Sequence, residues 1–295
     1  MTPPAFGPGR PSVGNAISWT ITFFVLTLFT AALLCLGGAI LVAGSAKAAL
    51  RWLTAAGAES MILQAGATLA STAVFTWLIG LRKLGLTRED LRYERTLAAR
   101  TGFGLGLLAG AATAGLALLI SVVAGGAGWV SDAGTLGDYL GQTAKTVAVL
   151  APAALAEEAL FRGVPLVLLA SALGRGGALV AIAMVFAFAH ASNPNVSPLG
   201  LGNIALAGIF LGLAFYAPGG IWTAFGAHLG WNSLLACLDT PVSGVPFNIP
   251  LLDYRAGTNQ WLTGGRFGPE GGLAATIALT LAILAMASWA RKEPR

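Results

Sequence analysis

Long apolar runs, separated by short segments that carry turn residues and charges, set the pattern of the chain. A helix needs about 20 mainly apolar residues to cross the hydrocarbon core of a bilayer. Eight runs reach or approach this length, at about 17–44, 57–81, 97–124, 143–171, 177–193, 201–217, 219–238 and 271–290. The pattern therefore predicts an all-α fold: a polytopic membrane protein built as a bundle of about eight transmembrane helices.

The placement of glycine adds two details to these predicted helices. The Pro-Gly-Gly break at 218–220 is typical of either a tight turn between two helices or a kink in one long helix. Gly102, Gly106 and Gly110 recur every four residues in the third run. This spacing puts them on one helix face, where small residues let membrane helices approach closely.

The composition supports the membrane assignment independently. Hydrophobic residues make up 56% of the 295 residues, and charged residues only 10%. A soluble domain of this length could not cover so much apolar surface. Because no shift in composition marks a second domain, we predict a single transmembrane domain over 17–290, between a disordered cytoplasmic N-terminus (1–16) and a basic cytoplasmic tail (291–295).

The basic residues predict the orientation, because the cytoplasmic loops of membrane proteins collect Lys and Arg. The segment after the second run carries six of them: Arg82, Lys83, Arg88, Arg92, Arg95 and Arg100. With eight spans, eleven basic residues fall on that side and five on the other. We predict a cell-membrane protein with both termini in the cytoplasm. The basic residues of the cytoplasmic side, which contact the lipid bilayer, account for the net charge of +5. No nucleic-acid partner is therefore expected.

Three charged residues interrupt the fourth run. Glu157 and Glu158 are adjacent, and Arg162 follows one helical turn after Glu158. Ionisable groups at bilayer depth cost several kcal/mol each, so they mostly pair, face a water-filled cavity or perform chemistry. Glu158 and Arg162 share a helix face in the order that favours an ion pair. Glu157 points about 100° away from them, which predicts a separate role facing a cavity.

Three further polar residues lie in later runs. His190 ends the fifth run, with Phe186 one turn before it, and His228 and Asn232 share a face of the seventh. From the predicted cytoplasmic helix ends, Glu157 lies ~14 residues deep, His190 ~13 and His228 ~9, which at ~1.5 Å per residue is roughly 14–21 Å. These groups could therefore occupy one layer of the bilayer.

Each of these residues also has a purely structural interpretation. A lone histidine in an apolar helix is more often a hydrogen-bonded core residue, and an asparagine usually links neighbouring helices. An intramembrane Glu-Arg pair is often only structural. Their occurrence together, in a chain with no other charges of comparable depth, favours an active site inside the membrane.

In chain order the residues form three spaced motifs on successive helices: Glu157-Glu158-x-x-x-Arg162, Phe186-x-x-x-His190 and His228-x-x-x-Asn232. This set resembles the three motifs of the CPBP family, which includes the type II CAAX prenyl proteases, the bacteriocin-processing enzymes and Abi-like proteins. The match covers about 143–240, which we take as the catalytic core. The resemblance implies an α-helical intramembrane endopeptidase that cleaves a membrane-associated protein or peptide.

The side chains fit the needs of peptide hydrolysis, which requires an activated water, a stabilised oxyanion and a proton for the leaving amine. Glu157, assisted by His190, is predicted to deprotonate the water. His228 and Asn232, on one face of a neighbouring helix, are predicted to donate hydrogen bonds to the oxyanion. Glu158, which completes the first motif, is predicted to orient the site together with its arginine partner.

Two mechanisms use these side chains differently. No serine, cysteine or aspartate is placed as an obvious covalent nucleophile, which favours direct attack by water. Alternatively, Glu157, His190 and His228 form a two-His-one-carboxylate set that could bind catalytic Zn²⁺ with one position open. We favour the metal-free mechanism, in which Glu158 and Arg162 orient the site. The sequence alone does not choose between the two.

Two other classes of function use the same residue types. Buried Glu and His chains also serve transporters and proton relays, which would predict polar groups or broken helices in both halves of the chain. Here the deep polar groups are confined to the second half. A non-catalytic membrane scaffold or immunity protein is the third class, and the intact motif set argues against it. The sequence does not identify the substrate or say whether it is prenylated.

The predicted orientation can be tested with reporter fusions. Fusions after Arg95 and at the C-terminus should both report the cytoplasm, and a fusion after Gly265 should report the opposite side, because the basic residues divide eleven to five. Alkaline phosphatase and green fluorescent protein activities would be compared at each position. The opposite result at Arg95 would invert the topology.

Overall fold

The computed structural model describes residues 11–55, 57–93 and 96–291. The α-helices in this part of the chain are Val13–Ala43 (α1), Ala46–Thr54 (α2), Ala58–Phe75 (α3), Leu97–Gly125 (α4), Leu136–Arg162 (α5), Val164–Ala189 (α6), Pro198–Tyr216 (α7), Ile221–Cys237 (α8), Gln260–Thr263 (α9) and Leu273–Ala290 (α10). A π-helix, Thr76–Lys83, continues α3, and two 3-10 turns, Gly265–Phe267 and Pro269–Gly271, precede α10. Two short strands, Gly128–Ser131 (β1) and Leu252–Arg255 (β2), pair antiparallel.

Within the described residues, six helical stretches are long and apolar enough to cross a membrane: Val13–Ala43, Ala58–Lys83, Leu97–Gly125, Leu136–Ala189, Pro198–Tyr216 and Leu273–Ala290. The all-α class and the polytopic membrane architecture are therefore confirmed. The strands contribute eight residues at most to the described fold, which leaves the helices as its framework.

The predicted count of about eight spans differs from six for two reasons. The stretch Leu136–Ala189 contains two of the predicted runs, and the backbone leaves helical conformation between them at Gly174 (φ 74°, ψ 164°). Glycine tolerates this positive φ because it has no Cβ. The seventh run forms α8, whose 17 residues lie at the short end of bilayer-spanning lengths. The break at 218–220 is a turn, since α7 and α8 are separate helices.

The first helix begins earlier than the predicted boundary at residue 17. Ser12 caps α1, and its hydroxyl accepts a hydrogen bond from the backbone N–H of Asn15 (3.2 Å), so the helix starts at Val13. The rest of the predicted N-terminal segment, residues 1–10, lies outside the described residues, as do residues 292–295 of the predicted basic tail.

The described residues divide into two compact units, one within 11–93 and 149–178, and the other within 96–148 and 179–291. The first unit contains α1 to α3, the π-helix, the second half of α5 and the start of α6. Here α1 packs along α3, and the ring of Phe24 on α1 lies 5.6 Å from the ring of Phe161 on α5. The predicted boundaries of the transmembrane domain stay a prediction.

The second unit is organised by close contact between α4 and α8. A Cβ added at Gly106 or Gly110 would overlap the α8 backbone at Thr223 or Ala227, so only glycine allows the two helices to meet at this distance. The four-residue glycine spacing seen in the sequence is therefore a helix contact. It fixes the helix that carries the third motif.

A polar cap of loops joins the helices of the second unit beyond their apolar stretches. The carboxylate of Asp239, just after α8, accepts backbone hydrogen bonds from Ile249 (2.8 Å) and Tyr254 (3.3 Å). The indole N–H of Trp129 in β1 donates to the carbonyl of Leu238 (2.6 Å). These bonds anchor β1, β2 and their loops to the end of α8.

Candidate active site

Glu158 and Arg162 form a fully buried ion pair on α5. The guanidinium Nη1 lies 3.0 Å from the carboxylate Oε1, and both side chains are 0% exposed. The four-residue spacing places them on one helix face, so the predicted pairing is confirmed. A buried pair of this kind persists only when each charge keeps its partner.

The hydroxyl of Tyr93 packs beside this ion pair from the segment that follows the π-helix. It donates to the carbonyl of Ala159 (3.4 Å), one residue after Glu158. Burial, and to a lesser degree the charge of Glu158, raises the pKa of the Tyr93 hydroxyl. Tyr93 therefore keeps its proton at physiological pH and acts as a donor in the first unit.

Glu157 occupies a different face of α5 and is half-buried, whereas its neighbour Glu158 is fully buried. The predicted division between an orienting carboxylate and one that faces a cavity stays a prediction. The catalytic role of Glu157 stays a prediction.

The second unit brings His190, His228 and Asn232 to one cavity. His190 follows the last residue of α6, and its Nδ1 lies 2.8 Å from the carbonyl oxygen of Phe186, one turn back. The Phe186 ring contacts both imidazoles, with centroid distances of 4.6 Å to His190 and 6.2 Å to His228. The aromatic residue of the second motif therefore packs between the two histidines and limits their orientations.

The cavity is apolar over most of its wall, and its polar groups converge from several elements. Its lining includes Ile204, Phe210, Leu211 and Leu279. It offers about 40 Å³ to the centres of water molecules, more than the roughly 10–15 Å³ that one water requires. A water molecule therefore fits beside the imidazoles.

Several polar residues of this cavity, among them Ser243 and Glu270, escaped the sequence interpretation. Ser243 lies in a loop and Glu270 in a 3-10 turn, yet both line the cavity, and Glu270 is almost fully buried. Burial raises the pKa of the Glu270 carboxyl, opposed by hydrogen bonds from Ser243 and Trp231 and by the charge of His190. The prediction that no serine acts as a covalent nucleophile stays a prediction, although Ser243 lines the cavity. The one sequence signal was a carboxylate in FGPEGG at the edge of the last apolar run.

The structure thus brings together His190, His228 and Asn232 within the second unit, and Glu158 with Arg162 within the first. Their union in one site remains a prediction, as do their catalytic roles. Among the described residues, no three His, Cys, Asp or Glu side chains are grouped so that they could hold a metal ion.

Part of the chain matches a known protein family. Residues 140–234 match the model of the family described as type II CAAX prenyl endopeptidase Rce1-like. The resemblance to the CAAX proteases is confirmed. The match covers about a third of the chain and includes all three motifs, whereas Ser243 and Glu270 lie beyond it. At the level of the family, it indicates a protease, that is, a peptide hydrolase embedded in a lipid bilayer. No curated protein and no solved structure matches the chain.

The buried ion pair predicts a stability effect that separates Glu158 from a purely catalytic residue. Glu158→Gln should lower the free energy of unfolding by about 3–5 kcal/mol, because Arg162 would keep a buried charge without its carboxylate. Thermal unfolding in detergent measures this change. The matched control is Asp253→Asn, which breaks the exposed Arg255–Asp253 pair and should cost at most about 1 kcal/mol. Equal effects of the two substitutions would contradict the structural role of Glu158.

Proposed function

We propose that the chain is an intramembrane endopeptidase that hydrolyses a peptide bond of a membrane-associated protein or peptide with water activated by Glu157. The observation that carries the proposal is the cavity that gathers His190, from the turn after α6, with His228 and Asn232 of α8, all within the matched segment. Imidazole and amide groups converging on a space that admits water are the components that peptide hydrolysis needs.

In the proposed reaction, Glu157 takes a proton from the water as its oxygen attacks the carbonyl carbon of the scissile bond. His190 assists by hydrogen bonding to the same water. Arg162 engages Glu158, so the adjacent carboxylate is the one assigned to proton transfer. The proton then passes to the leaving amine as the C–N bond breaks.

The oxyanion that forms on the carbonyl oxygen needs donors that are already in place. His228 and Asn232 lie one turn apart on α8 and line the same cavity. An imidazole N–H and an amide N–H held by a rigid helix stabilise developing charge without reorganisation. The close contact of α4 with α8 supports this preorganisation.

Ser243 raises the question of a covalent mechanism, because it is a cavity-lining hydroxyl. Its backbone N–H donates to the Glu270 carboxylate, which ties this residue to a structural network. We keep direct attack by water, and we expect Ser243→Ala to retain cleavage. We favour the metal-free mechanism, so no step of the proposed reaction is routed through Zn²⁺.

The proposed setting is the cell membrane, with both termini in the cytoplasm as the basic residues indicate. The substrate is a membrane-associated protein or peptide, and the lipid bilayer is the other partner. The name of the matched family makes a peptide with a prenylated CAAX terminus the first substrate class to test. An unprenylated membrane peptide is the alternative within the same reaction.

The base assignment predicts the behaviour of Glu157→Gln. Cleavage should fall by about 100- to 10,000-fold, the usual contribution of a general base, because the amide cannot accept the proton of the water. Purified protein would be assayed with a fluorescence-quenched peptide that ends in a farnesylated CAAX sequence, and with the same peptide without the lipid. Glu59→Gln, which alters an exposed carboxylate at the start of α3, is the matched control and should cleave at the wild-type rate.

The same assay tests the metal-free mechanism. Activity should survive exhaustive chelation, and the purified active enzyme should contain far less than one metal ion per chain. Unchanged cleavage by Glu157→Gln would overturn the base assignment. A stoichiometric metal that follows activity through removal and re-addition would overturn the metal-free proposal and reassign Glu157, His190 and His228 as ligands.

A further inference from the structure

Hydrogen bonds to the backbone around Glu270 hold this residue in place. It lies in the 3-10 turn Pro269–Gly271, directly before α10. The side-chain amide of Asn203 on α7 donates to the carbonyls of Glu270 (2.8 Å) and Gly272 (2.9 Å), and Asn203 accepts from Thr276 on α10 (2.7 Å). A buried amide with its groups satisfied rigidifies the segment around it, so the Glu270 side chain starts from a fixed position.

The carboxylate of Glu270 joins two parts of the cavity wall. Its Oε1 accepts a hydrogen bond from the indole Nε1 of Trp231 (2.9 Å), and its Oε2 accepts from the backbone N–H of Ser243. Trp231 lies on α8 between His228 and Asn232 in the sequence. One oxygen of Glu270 therefore binds directly to the helix that presents the proposed oxyanion donors.

The second oxygen of Glu270, Oε2, is connected through Ser243 to the turn that carries His190. The carbonyl of Ser243 accepts from the side-chain amide of Asn193 (3.1 Å), and the backbone N–H of Asn193 donates to the carbonyl of His190 (3.0 Å). The network therefore runs from Trp231 through Glu270 and Ser243 to the turn that carries His190. One carboxylate is therefore linked to the helix that carries His228 and to the backbone of His190.

Burial of the Glu270 carboxylate costs free energy of hydration. A carboxylate taken out of water loses hydration worth several kcal/mol, and neutral residues of similar volume would often pack at no loss of stability. Charge-assisted hydrogen bonds to an indole and a backbone N–H recover part of that cost. The remaining cost is consistent with a requirement of the site, since Glu270 and both histidines line the same cavity.

We propose that Glu270 is a positioning residue of the peptidase, which fixes α8 and the His190 turn so that His190, His228 and Asn232 address one reacting bond. The proposal rests on the proposed function. It assigns to Glu270 no direct contact with the substrate. Its effect should therefore appear in the rate of the chemical step and depend on its hydrogen bond to Trp231.

The test is a double-mutant cycle on the farnesylated CAAX peptide. Glu270→Gln removes the charge and presents an amide to Ser243, while Trp231→Phe removes the indole donor from the other side. We expect each variant to lower kcat by about 10- to 100-fold with less than about a threefold change in KM, because small misplacements cost up to about 100-fold in rate. The double variant should be no slower than the slower single variant, because both changes break one interaction.

A spectroscopic signature accompanies the kinetics. The ¹⁵N-indole resonance that disappears in Trp231→Phe identifies the Trp231 N–H, and in Glu270→Gln this resonance should shift upfield as the charged acceptor is lost. Trp129→Phe is the matched control, because its indole bonds to Leu238 in the loop cap. It should leave kcat and the Trp231 resonance unchanged.

Wild-type cleavage and its loss in Glu157→Gln, measured on the same peptide, test the proposed function separately. A wild-type kcat in Glu270→Gln would overturn the positioning role alone. The positioning role would also be overturned if the loss of kcat in the double variant equalled the product of the two single losses. Glu270 and Trp231 would then act independently. Loss of rate in Glu270→Gln with a normal Trp231→Phe enzyme would also overturn it and assign Glu270 to the reaction itself. Should Glu270→Gln fail to fold, the kcat of Trp231→Phe still decides, with normal turnover contradicting the proposal.

Discussion

The cost of burying a polar group without a partner is the constraint on which this structure depends. In an apolar chain of this kind each buried charge must find a compensating group, and an unpaired charge costs several kcal/mol. Glu158 meets the constraint through Arg162 on the same helix. Glu270 meets it through Trp231 and Ser243, which lie far apart in the sequence. The first solution is local and the second requires the fold of the whole unit.

Close helix packing supplies the rigidity that these polar groups need. Glycines on α4 allow its backbone to approach α8 directly, so α8 cannot rotate without a clash. His228 and Asn232 of this helix line the cavity, and Trp231 between them donates a hydrogen bond to Glu270. Preorganised hydrogen-bond donors are usually the largest source of transition-state stabilisation in enzymes that form an oxyanion.

Local sequence patterns predicted much of this fold. Contacts between residues that are distant in the sequence could not be predicted from such patterns. Helical periodicity located the apolar runs, and the four-residue spacings predicted the Glu158–Arg162 pair and the shared face of His228 with Asn232. Glu270 was missed because its partners come from α8 and a separate loop, which no spacing reveals. The non-helical backbone at Gly174 lies between the runs predicted at 143–171 and 177–193, so the pattern of apolar runs indicated this break as well.

The central claim is that the α8 face bearing His228 and Asn232 is the place where the peptide bond is hydrolysed. The most direct measurement is kcat for Asn232→Ala on a cleaved peptide, with Asn259→Ala, an exposed asparagine before α9, as the matched control. The account predicts a fall of about 100- to 1,000-fold for Asn232→Ala, the typical cost of one oxyanion donor, and no change for Asn259→Ala. Normal turnover in a folded Asn232→Ala enzyme would contradict the claim.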